Sequence, residues 1–407
     1  MTLRTDAAVT GLGLVTPAGI GVDSNWAEIC AARGTAAAID AELSGTQVPM
    51  SCRVPDFDAD RLLGARPARQ LDRFAQFAQV AADEALADAG LDSATWDGAR
   101  VGVVLGNAGG GLTVYEQQHR SLLEDGQRVS PLLLAMFLPN MLAGQVARRF
   151  AATGPNLVTA TACASATTAI ATACDLLTLD RCDVVLTGGS EAMVTPLAMS
   201  GFATMGALSR RTGEPRRASR PFDAGRDGFV GAEGAGLLVL ERAADARARG
   251  ARIRARVVGH GSSADAHHIT APHPEGRGLE QAIRAALDTA GAAPGDVGHV
   301  NAHGTSTPRN DLVEARTLRR VLPGGPYVSS TKGVTGHLLG AAGAAEAAYT
   351  VLAVEHGLVP PTANLEDHDP EIDIEVPTGP VAHDIGLALT NSMGFGGQNA
   401  VLAVAPA

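Results

Sequence analysis

One cysteine of the sequence stands where its thiol could act as a nucleophile. Cys163 follows a β-branched run and precedes an Ala- and Thr-rich stretch, so it falls at a predicted strand-to-helix junction. Free N–H groups and the positive end of the helix dipole at such a junction favour the thiolate, the reactive form of cysteine. The alternative, that Cys163 is a small buried side chain, stays open at this point. For Cys174, on the same predicted helix, burial is the preferred interpretation.

Two histidines and a lysine each stand near the end of a predicted strand, beside a glycine. His303 lies in the segment Asn-Ala-His-Gly-Thr-Ser-Thr-Pro, and Lys332 and His337 lie in Ser-Ser-Thr-Lys-Gly-Val-Thr-Gly-His. Such positions present a side chain to a cleft, whereas a lone histidine is more often structural. The hydroxyls of Thr305 and Thr307 alternate beyond His303 and could hold a polar ligand arm.

The glycine-rich segment Gly394-Phe-Gly-Gly-Gln-Asn399 offers backbone N–H groups of the kind that stabilise an oxyanion. A phosphate-binding loop is not predicted, because the spacing Gly-x-Gly-x-x-Gly and the Walker pattern are absent. Ser329-Ser-Thr-Lys332 matches the Ser-x-x-Lys pattern of serine acyl-enzymes. We interpret that match as coincidence, since neither Ser-Asp-Asn nor Lys-Thr-Gly accompanies it.

The elements that must position these residues alternate between short β-branched strands and Ala-rich helices, which predicts an α/β protein. A weak internal echo accompanies the pattern: Gly228-Phe-Val-Gly231 and Gly394-Phe-Gly-Gly397 each lead into an alternating strand. The echo suggests two similar halves, although chance similarity of glycine turns is an alternative. The expected division lies near residue 250, giving halves of residues 1–250 and 251–407.

Composition narrows the class of protein further. The chain has 407 residues, of which 45% are hydrophobic and 18% charged, and its formal net charge is −11. An acidic balance argues against binding of nucleic acid or of an acidic membrane as the main activity. No apolar stretch is long enough for a transmembrane helix, and the N-terminus lacks the apolar segment of a signal peptide. Five cysteines without a CxxC pair predict a reducing cytoplasm, with neither disulfides nor a metal site.

Several motifs, spread over almost the whole chain, resemble the elongating β-ketoacyl-[acyl carrier protein] synthases of fatty-acid and type II polyketide pathways. The matching segments are Val9-Thr-Gly-Leu-Gly, Thr161-Ala-Cys-Ala-Ser, Gly188-Gly-Ser-Glu-Ala, Arg220-Pro-Phe-Asp, Arg226-Asp-Gly-Phe, Asn301-Ala-His-Gly-Thr-Ser-Thr-Pro, Ser329-Ser-Thr-Lys-Gly-Val-Thr-Gly-His and Asn391-Ser-Met-Gly-Phe-Gly-Gly. The resemblance implies the thiolase fold, with two related α/β halves in αβαβα layers, and a decarboxylative condensing enzyme.

The resemblance also implies roles for the residues singled out above. Cys163 would take an acyl chain from a carrier-protein thioester. His303 and His337 would hold the thioester carbonyl as negative charge develops during malonyl decarboxylation. The backbone N–H groups of Cys163 and Phe395 would form the oxyanion hole of acylation, and the Phe395 ring would act as a gate. Lys332 would order the histidines electrostatically.

Supporting and substrate-binding positions follow from the same resemblance. Glu314 is expected to be the partner of Lys332, with Asp311 as a second supporting carboxylate. The resemblance implies substrate-binding positions at Thr305, Thr307, Gly109, Phe202 and Met393. Thr305 and Thr307 match positions that hold the phosphopantetheine arm. That arm arrives on the carrier protein, so no cofactor of the chain's own is expected.

The expected partner is an acyl carrier protein. Carrier proteins are acidic, so a net-acidic enzyme should bind them through a local basic patch. Arg66 and Arg69 fall at positions that match the docking surface of the family, and Arg210 and Arg211 lie near a possible gate loop. Ordinary solvated arginines are the alternative. The family is usually dimeric, so we expect a homodimer or a heterodimer with a chain-length-factor-like subunit.

Two residues depart from the usual family pattern. Met393 stands where elongating fatty-acid enzymes usually carry a second phenylalanine, and Gly109 stands where many place a bulky aliphatic residue at the acyl pocket. Our hypothesis is a pocket open to longer, branched or unsaturated chains, which favours specialised metabolism. The alternative is a turn glycine with unchanged pocket depth.

Two other functions also stay open: a non-catalytic chain-length-type subunit, which typically lacks the cysteine, and an acyltransferase of the same fold that does not decarboxylate.

Overall fold

The computed structural model describes residues 5–37, 39–124, 126 and 128–407. The strands are β1 Ala7–Thr16, β2 Gly19–Ile20, β3 Val101–Gly106, β4 Asn156–Thr159, β5 Val184–Glu191, β6 Gly234–Arg242, β7 Ala255–Ala264, β8 His299–Asn301, β9 Tyr327–Ser329, β10 Leu358–Val359, β11 Val381–Ala382, β12 Ala388–Gly394 and β13 Gln398–Ala405.

The helices vary from single turns to long amphipathic or fully buried segments. They are α1 Val22–Cys30, α2 Ala59–Leu63, α3 Ala65–Ala68, α4 Arg73–Ala89, α5 Leu112–Glu124, α6 Leu133–Phe137, α7 Met141–Arg149, α8 Ser165–Thr178, α9 Pro196–Thr204, α10 Ala243–Ala248, α11 Arg277–Ala290, α12 Pro308–Val321, α13 Lys332–Thr335 and α14 Ala342–His356. Within the described ranges, none of them is both long and apolar enough to cross a membrane.

The main sheet consists of two halves with the same strand order. The first half reads β4-β3-β5-β6-β1 and the second β9-β8-β12-β13-β7, and the two meet where β1 pairs with β7. Each half has the same directions: the pairs β3–β4 and β3–β5, like β8–β9 and β8–β12, are parallel, and the remaining pairs are antiparallel. The predicted internal repeat is therefore confirmed as a repeat of topology.

Two helices pack against both halves of the sheet and form the central layer. Helix α8 contacts β3 and β5 of the first half and β13 and β7 of the second, while α14 contacts β5, β6 and β12. Every residue of α14 from Ala342 to Val354 is buried, as expected for a mostly apolar helix in the middle of the core. Small residues make this packing possible, since a Cβ at Gly343 would lie 2.0 Å from the Thr167 hydroxyl on α8.

The outer layers cover the other faces of the sheet. Helix α4 packs on β1 and β6, and α11 packs on β7 and β13, which are the equivalent strands of the two halves. The result is the αβαβα layering of the thiolase fold. The loops that follow β4, β8, β9 and β12 carry the residues singled out from the sequence, and the parallel pairs β3–β4 and β8–β9 direct the carboxyl ends of their strands to one edge.

Candidate active site

A cavity of about 480 Å³ opens between the two halves. Its lining includes most of the predicted catalytic and substrate-binding residues, namely Cys163, His303, His337, Phe395, Thr305, Thr307, Phe202 and Met393. These residues come from loops and helices far apart in sequence, so the fold brings them together. Lys332, Glu314, Asp311 and Gly109 do not line the cavity.

The nucleophile candidate lies on a tight turn between β4 and α8. Cys163 is the middle residue of the 3-10 turn Ala162–Ala164, and it is 8% exposed where it borders the cavity. Ala162 has φ 49°, in the left-handed region, so packing must hold the turn in this conformation. A Cβ at Gly394 would lie 2.5 Å from the Thr161 carbonyl oxygen, so only glycine lets the loop after β12 rest on the turn.

The loop after β12 brings the Phe395 N–H to the sulfur of Cys163 as a hydrogen-bond donor. This N–H is one of the two donors expected for the oxyanion hole. The other is the Cys163 N–H, which lies close to Gly394, the residue before Phe395: a Cβ built on Gly394 would be 3.1 Å from the Cys163 nitrogen. Donors placed where an oxyanion develops are worth about 10²–10³ in rate each. The turn can therefore hold a thiol and also stabilise the oxyanion that forms on a carbonyl oxygen when the thiol attacks.

The electrostatics of the thiol differ from the sequence expectation of a thiolate. Burial raises the pKa of Cys163 to about 12, and although the Lys332 ammonium and the Phe395 N–H lower it, they do not offset burial. The helix-terminus argument was incomplete because it left out the cost of placing a charge in an apolar site. In the free protein the sulfur carries its proton, so deprotonation has to accompany the binding and attack of a substrate.

Alkylation of Cys163 by iodoacetamide is expected to speed up about tenfold for each pH unit from neutral pH to about pH 10, because only the thiolate reacts. Peptide mass spectrometry at a series of pH values measures the rate. Cys174, which is fully buried in α8, should stay unlabelled and so reports that the protein remains folded. A rate that levels off below about pH 8 would mean a thiolate at neutral pH and would contradict this account.

The two imidazoles lie side by side in the cavity lining and pack edge to face. Their ring centroids lie 5.4 Å apart with an interplanar angle of 82°. Burial and the Lys332 ammonium hold the pKa of both His303 and His337 well below the usual value, and His337 depresses that of His303 further. Nδ1 of each ring is buried without a hydrogen-bond partner among the described residues. Both rings are neutral and can act as uncharged hydrogen-bond donors.

Backbone hydrogen bonds fix both histidine loops. The N–H groups of His303 and Gly304 donate to the two carboxylate oxygens of Glu314, each at 2.8 Å. The His337 N–H donates to the Val230 carbonyl at 2.8 Å. Val230 lies in Gly228–Gly231, one of the two similar glycine segments noted in the sequence. That segment of the first half therefore positions a histidine of the second half.

The structure corrects the expected partner of Lys332. The Lys332 ammonium forms an ion pair with Oε1 of Glu346 on α14, and not with Glu314. Lys332 is the only lysine of the chain, and it is 1% exposed. Because α14 crosses behind the cavity, the pair places one cation beside the thiol and both imidazoles without entering the cavity. Burial raises the pKa of Glu346, and the ammonium opposes that rise.

The second supporting carboxylate acts away from the cavity. Asp311, on the first turn of α12, accepts a hydrogen bond from the Phe222 N–H at 3.0 Å. Burial raises its pKa to about 6, against the opposing effects of that N–H and of the Arg226 guanidinium. Asp311 therefore anchors the chain before the Gly228 segment.

Hydroxyl and aromatic groups line the cavity beside the thiol and the imidazoles. Thr305 Oγ1 and Thr307 Oγ1 are 2.9 Å apart and bond to each other. The ring of Phe202 lies 6.3 Å from that of Phe395 and 5.4 Å from that of Phe229. Met393 is buried, with its side chain in the lining of the cavity.

The space beside Gly109 is not open, which differs from the hypothesis of an enlarged pocket. A Cβ at Gly109 would lie 2.7 Å from Sδ and 2.9 Å from Cγ of Met193, and 3.2 Å from Leu112 Cδ1. Met193 thus occupies the volume that a larger residue at 109 would take. A small residue at one position and a large one at the other leave the space filled.

The basic residues expected to bind a carrier protein lie on the surface. Arg66 and Arg69, on and next to α3, are exposed and form no ion pair with a described residue. Arg210 is also exposed, whereas Arg211 donates to the Gly225 carbonyl at 2.9 Å and lies 3.7 Å from Glu214. Arg66, Arg69 and Arg210 remain available to an acidic partner, and Arg211 is partly engaged within the chain.

Residues able to hold a metal are few. In the described part of the chain, no group of three or more His, Cys, Asp or Glu residues could bind a metal ion. Seven buried side-chain oxygens nevertheless lack a hydrogen-bond partner there. Four are threonine hydroxyls, and the other three are Asn301 Oδ1, Asn391 Oδ1 and Glu346 Oε2. Oxygens of this kind are the ligands of hard cations, so these three residues could contribute to a cation site.

Sequence reasoning missed two buried carboxylates that contact the loops and the lysine of the site. Glu346 is the one charged residue in the Ala- and Gly-rich run from Gly340 to Val354, and a charge within a fully apolar helix signals a buried partner. Glu191 accepts hydrogen bonds from the Ala108 N–H at 2.7 Å and from Asn107 Nδ2 at 3.1 Å. It ties the loop that contains Gly109 to the end of β5.

Comparisons with known proteins agree with this geometry. A family model described as the N-terminal domain of β-ketoacyl synthase matches residues 4–246, and the C-terminal domain model matches residues 254–366. A protein named 3-oxoacyl-[acyl-carrier-protein] synthase 2, from Synechocystis sp., is 44% identical over 404 residues, covering 97% of this chain and 96% of that protein.

Two solved structures resemble the whole chain. The ishigamide ketosynthase/chain length factor superposes with a TM-score of 0.91 at 33% identity, over 99% of this chain and 100% of that one. A type II polyketide ketosynthase, bound to a hexaketide and in complex with its acyl-carrier protein, superposes with a TM-score of 0.88 at 31% identity, again over 99% and 100%.

Proposed function

The chain belongs to the β-ketoacyl synthase family, and we propose that within it Cys163 carries the growing acyl chain while His303 and His337 stabilise the enolate formed from malonyl-carrier protein. The activity is that of a β-ketoacyl-[acyl carrier protein] synthase, an acyltransferase that forms a carbon–carbon bond, and its partner is an acyl carrier protein. The observation that carries the residue roles is the convergence of this thiol and two neutral imidazoles on one cavity.

In the first half-reaction the Cys163 sulfur attacks the carbonyl carbon of an acyl thioester. The carbonyl oxygen becomes an oxyanion held by the Cys163 and Phe395 N–H groups. The bond to the pantetheine sulfur then breaks, and that sulfur leaves as a thiol with the proton that Cys163 gave up. The products are acyl-Cys163 and free carrier thiol.

In the second half-reaction malonyl-carrier protein loses its carboxylate as carbon dioxide. The electron pair of the broken bond becomes an enolate, whose oxygen accepts hydrogen bonds from His303 and His337. The enolate carbon attacks the acyl-Cys163 carbonyl and forms the new bond, and the Cys163 sulfur leaves as a thiolate. Neutral imidazoles suit this step because each donates an N–H without a proton transfer, and their depressed pKa keeps them neutral at working pH.

The arm that delivers both thioesters is proposed to be phosphopantetheine on the carrier protein, with Thr305 and Thr307 along its path.

The protein is proposed to work in a reducing cytoplasm, an assignment that the five free cysteines support. A second chain is proposed to cover the edge strand β4 and nearby apolar side chains. Leu134, Leu138 and Leu157 are 64%, 39% and 45% exposed in the single chain, and an uncovered edge strand invites pairing. The residue ranges 1–250 and 251–407 are proposed as the two halves of each chain.

The test of this function is a product assay with purified chain, acyl-carrier and malonyl-carrier thioesters. The proposal expects β-ketoacyl-carrier and carbon dioxide in equal amounts. His303→Ala and His337→Ala should each slow condensation by about 10²-fold or more while Cys163 still becomes acylated, since each removes one enolate donor. Acylation without carbon dioxide in the unaltered protein would favour an acyltransferase, and no acylation would favour a non-catalytic subunit.

Docking of the carrier protein is expected to depend on salt and on the exposed arginines. Arg66→Ala combined with Arg69→Ala should raise KM for acyl-carrier several-fold and leave kcat nearly unchanged, because the charges act on encounter and binding. A matched control is the double change Arg316→Ala and Arg319→Ala, which removes two charges from α12. Equal KM values for both doubles, or no loss of affinity in raised salt, would refute this docking surface.

Acyl-chain selectivity is expected to depend on Met193 more than on Gly109. Met193→Ala vacates the space beside Gly109 and should shift loading of Cys163 toward longer chains, by several-fold in relative kcat/KM. Mass spectrometry of loading from a series of acyl-carrier lengths measures the profile. Met50→Ala serves as the control, because Met50 is a buried methionine of the hydrophobic cluster against which Met193 packs. An unchanged profile for Met193→Ala would rule out this space as part of the acyl pocket.

A further inference from the structure

We propose that Arg309 binds the phosphate of the phosphopantetheine arm at the mouth of the cavity. The inference rests on the proposed function, because it requires the acyl group to arrive on such an arm. It adds a contact outside the catalytic centre, at a residue to which neither the sequence motifs nor the mechanism gave a role.

Alternate residues of one segment lead from the catalytic centre to the surface. His303 is 3% exposed and Thr305 is 6% exposed, Thr307 is half-buried, and Arg309 is exposed. All four line the same cavity. In a phosphopantetheine arm the thioester is at one end and the phosphate at the other, so a thioester at His303 directs the phosphate outward along this segment.

The charges that line the cavity single out the same residue. Among the described residues that line the cavity, Arg309 is the only arginine, and the chain's one lysine lies outside the lining. The two acidic lining residues are already bonded within the chain. Asp227 accepts hydrogen bonds from Ser209 Oγ at 2.6 Å and the Arg210 N–H at 3.1 Å, and Asp265 accepts from Asn399 Nδ2 at 2.8 Å and the His273 N–H at 2.9 Å.

The guanidinium of Arg309 differs from those of the other arginines on α12. Arg316 pairs with Glu371 at 2.9 Å, Arg319 with Asp373 at 3.1 Å, and Arg320 with Glu280 at 2.8 Å. For Arg309, no described carboxylate lies within the same range. A guanidinium presents several N–H donors in a plane that matches phosphate oxygens, so an unpaired one at the mouth suits a phosphodiester.

Carrier-protein carboxylates offer a second source of negative charge, and small thioesters separate the two. The probes are acetyl-pantetheine and acetyl-phosphopantetheine, which differ only in the phosphate and carry no protein. Acylation of Cys163 is followed by intact-protein mass spectrometry for the unaltered chain, Arg309→Ala and the control Arg316→Ala. We expect kcat/KM to be roughly tenfold higher for the phosphorylated probe in the unaltered chain and in the control. In Arg309→Ala the ratio should fall to about one.

A ratio that stays near tenfold in Arg309→Ala would overturn the inference, as would equal rates for the two probes in the unaltered chain. If Arg309→Ala slows loading from the intact carrier but leaves the probe ratio unchanged, Arg309 contacts the carrier surface and the inference is wrong. Failure of both probes and of acyl-carrier to load Cys163 in the unaltered chain would instead overturn the proposed function itself.

Discussion

Replacing Cys163 by alanine is expected to abolish covalent loading and to reduce condensation by at least about 10³-fold, because the sulfur is both the nucleophile and the carrier of the acyl group. The fold should tolerate the change. Cys163 borders the cavity, and removing one sulfur atom there should lower the free energy of unfolding by about 1 kcal/mol or less. Condensation rates and urea denaturation of the purified variant measure the two effects.

Cys174→Ala is the matched control, since it removes the same atom from α8, the helix that begins directly after the Cys163 turn. Cys174 is fully buried in the main hydrophobic cluster, so this variant should lose stability but keep loading and condensation. Comparable activity in the two variants, or loading that persists in Cys163→Ala, would show that another group is the nucleophile.

Replacing Lys332 by methionine is expected to lower the free energy of unfolding by about 3–5 kcal/mol, the cost of leaving a buried carboxylate without its counter-charge. Glu346 is 3% exposed on a helix with no other charged residue between Ala342 and Val354, so no second cation there can compensate. Urea denaturation measures the loss. Condensation should fall as well, because the charge beside the thiol and imidazoles is gone.

The double variant Lys332→Met with Glu346→Leu separates stability from function. Replacing both members of a buried ion pair by apolar residues is often neutral for stability. The double variant should therefore recover most of the unfolding free energy while condensation stays low. A double variant as unstable as Lys332→Met alone would mean that the lysine stabilises the fold by something other than this pair.

Much of the fold follows from local pattern. The alternation of β-branched and Ala-rich segments predicted an α/β protein, and the structure has ten strands in the repeated order with helices such as α4, α8, α11 and α14 packed against them. The fold class and the two similar halves are confirmed. The prediction did not reach short helices such as α1 and α7, which pack on β1 and on β3 and β4 and depend on that packing more than on their own pattern.

The site residues that directly follow strands were predictable from the sequence. The contacts that these residues make across the core were not. Cys163, His303 and His337 follow β4, β8 and β9, and the topology brings the ends of those strands together. The partner of Lys332 could not be read from the sequence, because α12 and α14 both supply a buried glutamate to this region. The position of Met193 beside Gly109 and the pKa of the Cys163 thiol could not be predicted either, because both depend on which groups the fold packs around them.

The most direct test is a pulse and chase on a single residue. The chain is loaded with acyl-carrier alone, freed of excess carrier, and then mixed with malonyl-carrier while peptide mass spectrometry follows the thioester on Cys163. The account predicts that the thioester forms only on Cys163 and disappears at the rate at which β-ketoacyl-carrier and carbon dioxide appear. Product that forms while the Cys163 thioester persists, or a thioester on any other residue, would contradict it.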